Sequence, residues 1–207
     1  MHPIPLGLIK AASVVVFSVY VAAGLFGTAD PNHNFVQTMA WVYFWVGLAY
    51  FNAFVANIWA LVNPWKILYD WAESIFARVG GEELSRYEPY LQRLGAWSAV
   101  ALFLGFAWVE VVYTRSSDPF NIAILALMYS LITFAGMFLY GRDVWLRSGE
   151  AFTIAFGFLA GFAPTEVRAR DAGGVWAVDE YELYAEASEG RVEPAARGAR
   201  ACSPPGA

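Results

Sequence analysis

Three polar side chains, Asn52, Asn57 and Glu110, lie inside long apolar stretches of the 207-residue sequence. Burying such groups away from water is costly, so they are candidates for an intramembrane site that binds an ion, a proton or a polar ligand. Asn52 and Asn57 are five residues apart, about 140° around a helix, and so do not share a face. A proton-linked site formed by Glu110 and Asn52 is one hypothesis. The alternatives are hydrogen bonding between helices for the asparagines and an interfacial carboxylate for Glu110.

Residues that commonly carry catalysis are scarce in this chain. The sequence contains no G-x-S-x-G, no H-E-x-x-H, no glycine-rich phosphate loop and no paired-cysteine motif. Two histidines and one cysteine do not supply a His-rich or thiolate metal centre within a single chain. From the residues alone we therefore predict no catalytic residue, no metal site and no cofactor.

The apolar stretches that hold these side chains predict the fold. Hydrophobic residues make up 58% of the sequence, more than the core of a water-soluble protein of this length can bury. A helix needs about 20 apolar residues to cross a bilayer, and four stretches meet that length. The predicted spans are residues 6–26, 39–62, 94–113 and 122–140. For the first span a signal peptide is the rival interpretation, although no basic region precedes the apolar run, since Lys10 is the first basic residue.

Two shorter segments complete the predicted bundle. After a helix break at Asn63, residues 65–78 show the spacing of an amphipathic, interfacial helix, and a simple connector is the alternative. The apolar run at 149–163 is too short to cross alone, so we expect a broken, re-entrant, interfacial or protein-buried helix. Its G-x-x-x-G spacing favours generic helix packing over specific dimerisation. The candidate residues for helix breaks and inner-face packing are Asn63, Pro64, Trp65, Gly149, Glu150, Gly157 and Gly161.

The fold class is therefore predicted to be all-α, a polytopic membrane helical bundle over residues 1–164. Residues 165–207 are predicted to be an acidic, largely disordered cytosolic tail. Basic residues near the span ends predict an inner-membrane protein with its N-terminus and tail in the cytoplasm. The expected partners are the lipid bilayer and other membrane subunits or a second copy. A net charge of −5 without a basic stripe argues against nucleic acid.

Several short segments also carry a family resemblance. They are residues 25–31, 45–48, 57–65, 140–146, 149–152 and 162–164. Over roughly residues 20–168 the sequence resembles the bacterial membrane proteins known as fenitrothion hydrolases, and the Asn-Pro-Trp and Gly-Glu-Ala-Phe segments are its most specific parts. The resemblance implies a membrane protein that hydrolyses an organophosphate ester. It also implies a longer chain with further spans, of which this sequence is a fragment, and it assigns no catalytic residue.

Three functions are compatible with the sequence. The absence of catalytic motifs favours a membrane scaffold or a subunit whose partner supplies the chemistry. A transporter or permease-like protein is the first alternative, because interrupted helices and buried polar side chains occur at transport sites. A membrane-bound organophosphate ester hydrolase is the second alternative, and it rests on the resemblance.

Overall fold

The computed structural model describes residues 4–80, 84–90 and 94–165, and every regular element within them is helical. The predicted all-α class is thus confirmed for this part of the chain. Beyond Thr165, the predicted acidic tail lies outside the described residues. The elements are α1 (Ile4–Phe26), a 3₁₀ turn (Pro31–His33), α2 (Val36–Thr38), a π-helical segment (Met39–Gly47), α3 (Leu48–Phe54), α4 (Trp59–Val62), α5 (Pro64–Arg78), α6 (Trp97–Val111), α7 (Pro119–Tyr140), α8 (Arg142–Ser148) and α9 (Ala151–Ala160).

Two helices among the described residues are long and apolar enough to cross a membrane, Leu6–Phe26 and Pro119–Tyr140. They correspond to the first and fourth predicted spans and pack closely where the end of α1 meets the start of α7. A Cβ atom added at Gly24 would lie only 2.4 Å from Cβ of Ala123. The glycine therefore allows the two backbones to approach. The third predicted span forms α6, a shorter helix of 15 residues.

The second predicted span, 39–62, is not one continuous helix. Helical backbone runs from α2 through the π-helical segment to the end of α3, and residues 55–58 then leave it. The side chain of Asn52 explains the break, because its amide nitrogen donates to the carbonyl oxygen of Leu48 at 2.7 Å. Its amide oxygen accepts from the backbone N–H of Trp59 at 3.3 Å. A side chain that bonds to the backbone in this way competes with the helical pattern.

Two helices begin inside the bundle rather than at its surface. The indole of Trp65, at the start of α5, donates to Ser130 at 2.8 Å, and the hydroxyl of Tyr129 donates to Glu150, which precedes α9. Tyr129 and Ser130 lie near the middle of the 22-residue α7. The segment predicted as a short helix at 149–163 contains a single helix, α9, which begins at Ala151 and ends at Ala160, after α8 has ended at Ser148.

An aromatic core surrounds these two helix starts. The ring of Phe152 lies 4.8 Å from that of Phe44, 5.0 Å from Phe106 and 5.2 Å from Tyr129. Such tilted and edge-on contacts between rings stabilise beyond the burial of their area. Phe152 itself is only 4% exposed. The core thus joins the π-helical segment, α6, α7 and α9 around one side chain.

Candidate functional site

The starts of α5 and α9 meet at a cluster of polar side chains, which we name the helix-start junction. Its members are Trp59, Asn63, Tyr129, Glu150 and Thr153. The hydroxyl oxygen of Thr153 accepts hydrogen bonds from the indole of Trp59 and from the amide of Asn63, both at 3.2 Å. One threonine on α9 therefore connects the two segments that flank the break before α5.

Asn63 caps α5 from within the junction. Its side-chain oxygen accepts from the backbone N–H groups of Trp65 at 3.0 Å and Lys66 at 3.2 Å. Asparagine is a preferred residue at this position, and Pro64 occupies the first turn, where no backbone N–H is needed. The Asn-Pro pair predicted as a helix break is thus the start signal of the next helix.

Glu150 caps α9 with a carboxylate that is 0% exposed. Its oxygens accept from the backbone N–H of Phe152 at 2.9 Å, from that of Thr153 at 2.6 Å and from the hydroxyl of Tyr129. The N-terminus of a helix stabilises negative charge, and three donors satisfy the carboxylate at a point where water is excluded.

Of the predicted intramembrane site of Asn52, Asn57 and Glu110, the structure does not bring Glu110 to Asn52. Ring contacts of Trp41 with Phe106 at 5.6 Å and of Trp45 with Phe103 at 5.5 Å set α6 antiparallel to the helix of residues 36–54. Glu110 consequently lies beside the start of that helix, whereas Asn52 lies near its end. Asn57 accepts from the backbone N–H of Ala60 at 3.4 Å.

The glycine pair of α9 has a different position from the one its spacing indicates. Gly157 and Gly161 are both exposed, and a Cβ atom added at Gly157 would meet no atom within 4 Å. The pair does not bring two helices together within the described residues. It lies on the outer face of α9 beside the exposed rings of Phe158 and Phe162, which are 5.8 Å apart.

Charged side chains gather beyond the end of α7. The guanidinium of Arg142 lies 2.6 Å from a carboxylate oxygen of Asp70 and 2.8 Å from one of Asp143. Glu73 lies 3.7 Å away. Arg142 and Asp70 are each 24% exposed, so the pair is partly shielded from solvent. This pairing fastens α5 to the start of α8.

The opposite end of the bundle carries a second polar group, around the 3₁₀ turn. His33 lies 2.7 Å from a carboxylate oxygen of Asp30, whose other oxygen accepts from the backbone N–H of Asn32 at 2.9 Å. The hydrogen bond to His33, followed by that to the backbone, holds the pKa of Asp30 below its usual value. An open depression of about 560 Å³ lies next to this turn and reaches Trp41.

Sequence reasoning identified Asn63 and Glu150 as candidates for helix breaks and inner-face packing, and it did not identify their partners Tyr129, Thr153 and Trp59. A glutamate directly before an apolar helix is a signal that could have pointed to a buried cap. The described residues contain no group of three or more His, Cys, Asp or Glu side chains that could hold a metal ion. Comparisons with family models, curated proteins and solved structures find no match to this chain.

Proposed function

We propose that this protein is a multi-pass inner-membrane protein that serves as a scaffold or subunit of a membrane assembly. The first support is its exposed apolar surface. Val15 on α1 is 59% exposed and Leu131 on α7 is 71% exposed, and none of the apolar window of α1 is buried within the protein. Each Å² of such surface costs about 25 cal/mol in water, so lipid is the surrounding that suits it.

The proposed topology has four crossings with the N-terminus and the tail in the cytoplasm, because cytoplasmic loops carry an excess of Lys and Arg. The end of α7 at Tyr140 is then the inner end. A cysteine placed at Arg86 should react with a membrane-impermeant maleimide only after the cells are opened, and a cysteine at Asn32 should react in intact cells. Cys202 is replaced by serine in both variants. The reverse pattern would overturn the orientation.

The helix-start junction is the observation that favours a scaffold over a catalyst. Its polar groups bond to one another: Glu150 is satisfied by Tyr129 and the start of α9, and Asn63 by Thr153 and the start of α5. The ring of Phe152 stacks on Trp65 at 6.3 Å and closes the space beside them. The junction thus needs no ligand to be complete, as expected of a structural element.

Cysteine cross-linking in native membranes tests the assembly role. Leu104 on α6 and Phe158 on α9 are 63% and 72% exposed, whereas Met137 on α7 is 0% exposed. With Cys202 replaced by serine, cysteines at positions 104 and 158 should yield a cross-linked species of higher mass. A cysteine at position 137 is the matched control and should yield none. A chain that stays monomeric in every variant would overturn the scaffold proposal.

A transporter or permease-like function is the second candidate, and the interior starts of α5 and α9 favour it. Transporters commonly place the ends of interrupted helices at their substrate sites. The protein reconstituted in liposomes should then pass an ion or small solute, and Glu150→Gln should change that flux. Equal flux in protein-free liposomes would reject this candidate. Hydrolysis of an organophosphate ester, implied by the resemblance, is tested separately by turnover of a phosphotriester with the purified protein.

A further inference from the structure

The described elements occur twice in the same order along the chain. The first half, α1 to α5, and the second half, α6 to α9, each consist of a helix, an Asp-Pro turn, a second helix, a short helix and a capped third helix. In the first half the second helix is the continuous run of α2, the π-helical segment and α3, whereas in the second half it is α7. The order indicates that one unit is used twice.

Equivalent turns and caps form the same hydrogen bonds in both halves. Asp30 accepts from the backbone N–H two residues further on at 2.9 Å, and Asp118 does so at 3.1 Å. The side chains of Asn63 and Glu150 each accept from the backbone N–H groups two and three residues further on. Asn63 lies almost as far along the chain from Asp30 as Glu150 lies from Asp118. The residues at the caps differ, Asn-Pro-Trp against Glu-Ala-Phe, so the hydrogen bonds reveal the repeat more clearly than the sequence does.

Both halves have the same orientation in the bundle. Val36 and Ile122, at the starts of the two second helices, belong to one apolar cluster. The first helices, α1 and α6, each run antiparallel to the second helix of the other half, as the approach of Gly24 to α7 and the ring contacts of α6 establish. Both second helices therefore begin at the outer end of the bundle and finish at the inner end.

The capped helices also run in the same direction, from the middle of the bundle toward its inner end. α5 begins where Trp65 bonds to Ser130 in the middle of α7, and its residue Asp70 pairs with Arg142 beyond the end of α7. α9 begins beside the same part of α7, and Thr165 beyond its end donates to the backbone carbonyl that follows α3. In each half the chain therefore enters the bundle from the inner end, turns at the cap and leaves on the same side.

The two halves bind each other through equivalent contacts. The ring of Trp65 lies 5.0 Å from that of Tyr129 on the second helix of the other half, and the ring of Phe152 lies 4.8 Å from that of Phe44 in the first half. Trp65 and Phe152 each follow their cap by two residues, and they stack on each other at 6.3 Å. Contacts that are reciprocal in this way are typical of an interface between two copies of one protein.

We propose that this chain is a tandem duplication of one membrane unit, and that the surface joining its halves is an interface between two copies of that unit. The pseudo-twofold axis passes through the stack of Trp65 on Phe152 and lies along the membrane normal, an arrangement also found in membrane transporters built from parallel repeats. The inference rests on the proposed membrane placement. It goes beyond the scaffold role because it names the partner that the interface of each half fits, a second copy of the same unit.

Exposed positions on equivalent helices make the duplication testable. Val16 on α1 and Leu104 on α6 lie equally far before the Asp-Pro turns, and both are exposed. Trp71 on α5 and Phe158 on α9 lie equally far after the caps, and both are exposed as well. A label at any of these positions leaves the buried core in place. The duplication puts the two members of each pair at one depth in the membrane.

Nitroxide depth measurements on the whole protein in lipid vesicles test this expectation. Single cysteines replace Val16, Leu104, Trp71 and Phe158 in turn, with Cys202 changed to serine, and relaxation by oxygen against a nickel chelate reports the depth of each label. Labels at 16 and 104 should agree in depth within about 3 Å, the rise of two helical residues, and so should labels at 71 and 158. Positions 16 and 71 are the control. Because α1 contacts α5 at residue 65, six residues before 71, their labels should differ by about 9 Å.

A label at 71 among the headgroups with a label at 158 deep in the hydrocarbon would overturn the duplication, because α5 would then lie on the membrane surface and α9 would not. A protease site inserted between Tyr90 and Leu94 tests the interface, since after cleavage in mild detergent the two halves should elute as one particle. Halves that separate would overturn the interface. Neither outcome bears on the cross-linking that tests the scaffold, whereas labels that never reach the hydrocarbon would reject the membrane placement on which both proposals rest.

Discussion

Replacing Gly136 by alanine probes the close contact between α7 and the ring of Trp145. The added methyl carbon would lie 2.2 Å from Cδ2 and Cε2 of Trp145 and 2.6 Å from Cε3. The ring has little room to retreat, because it stacks on Tyr140 at 5.9 Å and a Cβ atom at Gly149 would lie 2.4 Å from its Cε3 atom. Something must therefore shift to admit one carbon atom.

The magnitude follows from two opposing effects. Alanine is favoured over glycine in a helix interior by about 1 kcal/mol, whereas overpacking a tight contact costs about 1–3 kcal/mol. Gly136→Ala should thus lower the free energy of unfolding by up to about 2 kcal/mol. Gly105→Ala on α6 is the matched control, since a Cβ atom there meets nothing within 4 Å. That variant should gain up to about 1 kcal/mol.

Thermal unfolding in detergent, followed by circular dichroism, measures both variants. Gly136→Ala is also introduced into a protein that carries Trp145→Leu, where the smaller side chain makes room for the methyl group. Comparing this double variant with Trp145→Leu alone isolates the contact between residues 136 and 145. The loss caused by Gly136→Ala should then disappear. The reasoning is refuted if Gly136→Ala is as stable as Gly105→Ala, or if its loss is the same with leucine at position 145.

Three further outcomes are expected. Asn63→Ala removes the α5 cap and should lower the free energy of unfolding by about 1–3 kcal/mol in the same thermal assay. Asn63→Asp keeps a capping oxygen, so its free energy of unfolding should fall by less. Arg142→Gln should lower the free energy of unfolding by only about 1 kcal/mol, because solvent partly screens the Arg142–Asp70 pair. In a protein that already carries Asp70→Asn, the same substitution should lower the melting temperature by less. The pKa of Asp30 is lower in the folded protein than in the unfolded chain, first because of its hydrogen bond to His33. The ionised Asp30 carboxylate therefore stabilises the 3₁₀ turn fully at pH values above the unfolded pKa, and this stabilisation is lost as the pH falls through the folded pKa. Amide exchange in that turn should accelerate over this acidic range, and Asp30→Asn should remove the dependence.

The long apolar helices could be predicted from the sequence because length and composition determine them locally. α7 has no charged residue over 22 positions, and α1 has only Lys10. Capping chemistry also acts over a few residues, which is why the Asn63-Pro64 pair correctly indicated a boundary. These features depend on neighbours in the sequence and need no knowledge of the tertiary contacts.

The break at residues 55–58 could not be predicted in the same way. Residues 55–58 contain neither glycine nor proline. The Asn52 side chain bridges the break by accepting from the backbone N–H of Trp59, seven residues along the chain. The segment therefore has the composition of an uninterrupted apolar helix.

The role of Glu150 was hidden for a related reason. The hydroxyl that donates to Glu150 belongs to Tyr129, which lies 21 residues earlier on another helix. Thr153 accepts a hydrogen bond from Asn63, which is 90 residues away in the sequence. Spacing cannot reveal such contacts, so the sequence predicts Glu150 as a residue of a helix break or of inner-face packing but does not predict its hydrogen-bond partners. The polar residues chosen from composition, Asn52 and Glu110, each lie near the C-terminal end of a helix, and because these two helices are antiparallel the side chains lie at opposite ends of the helix pair.

The dependence of α5 on α7 has a consequence for biosynthesis. Trp65 finds its partner Ser130 only after 65 more residues have been made, and in the membrane placement that we propose the inserting machinery receives the chain N-terminus first. Until α7 leaves the ribosome, the indole of Trp65 lacks its partner Ser130, so the nascent segment is expected to stay at the lipid surface. Insertion of α7 is then the step that draws it inward, and a translation-arrested chain ending before Pro119 should leave α5 open to protease.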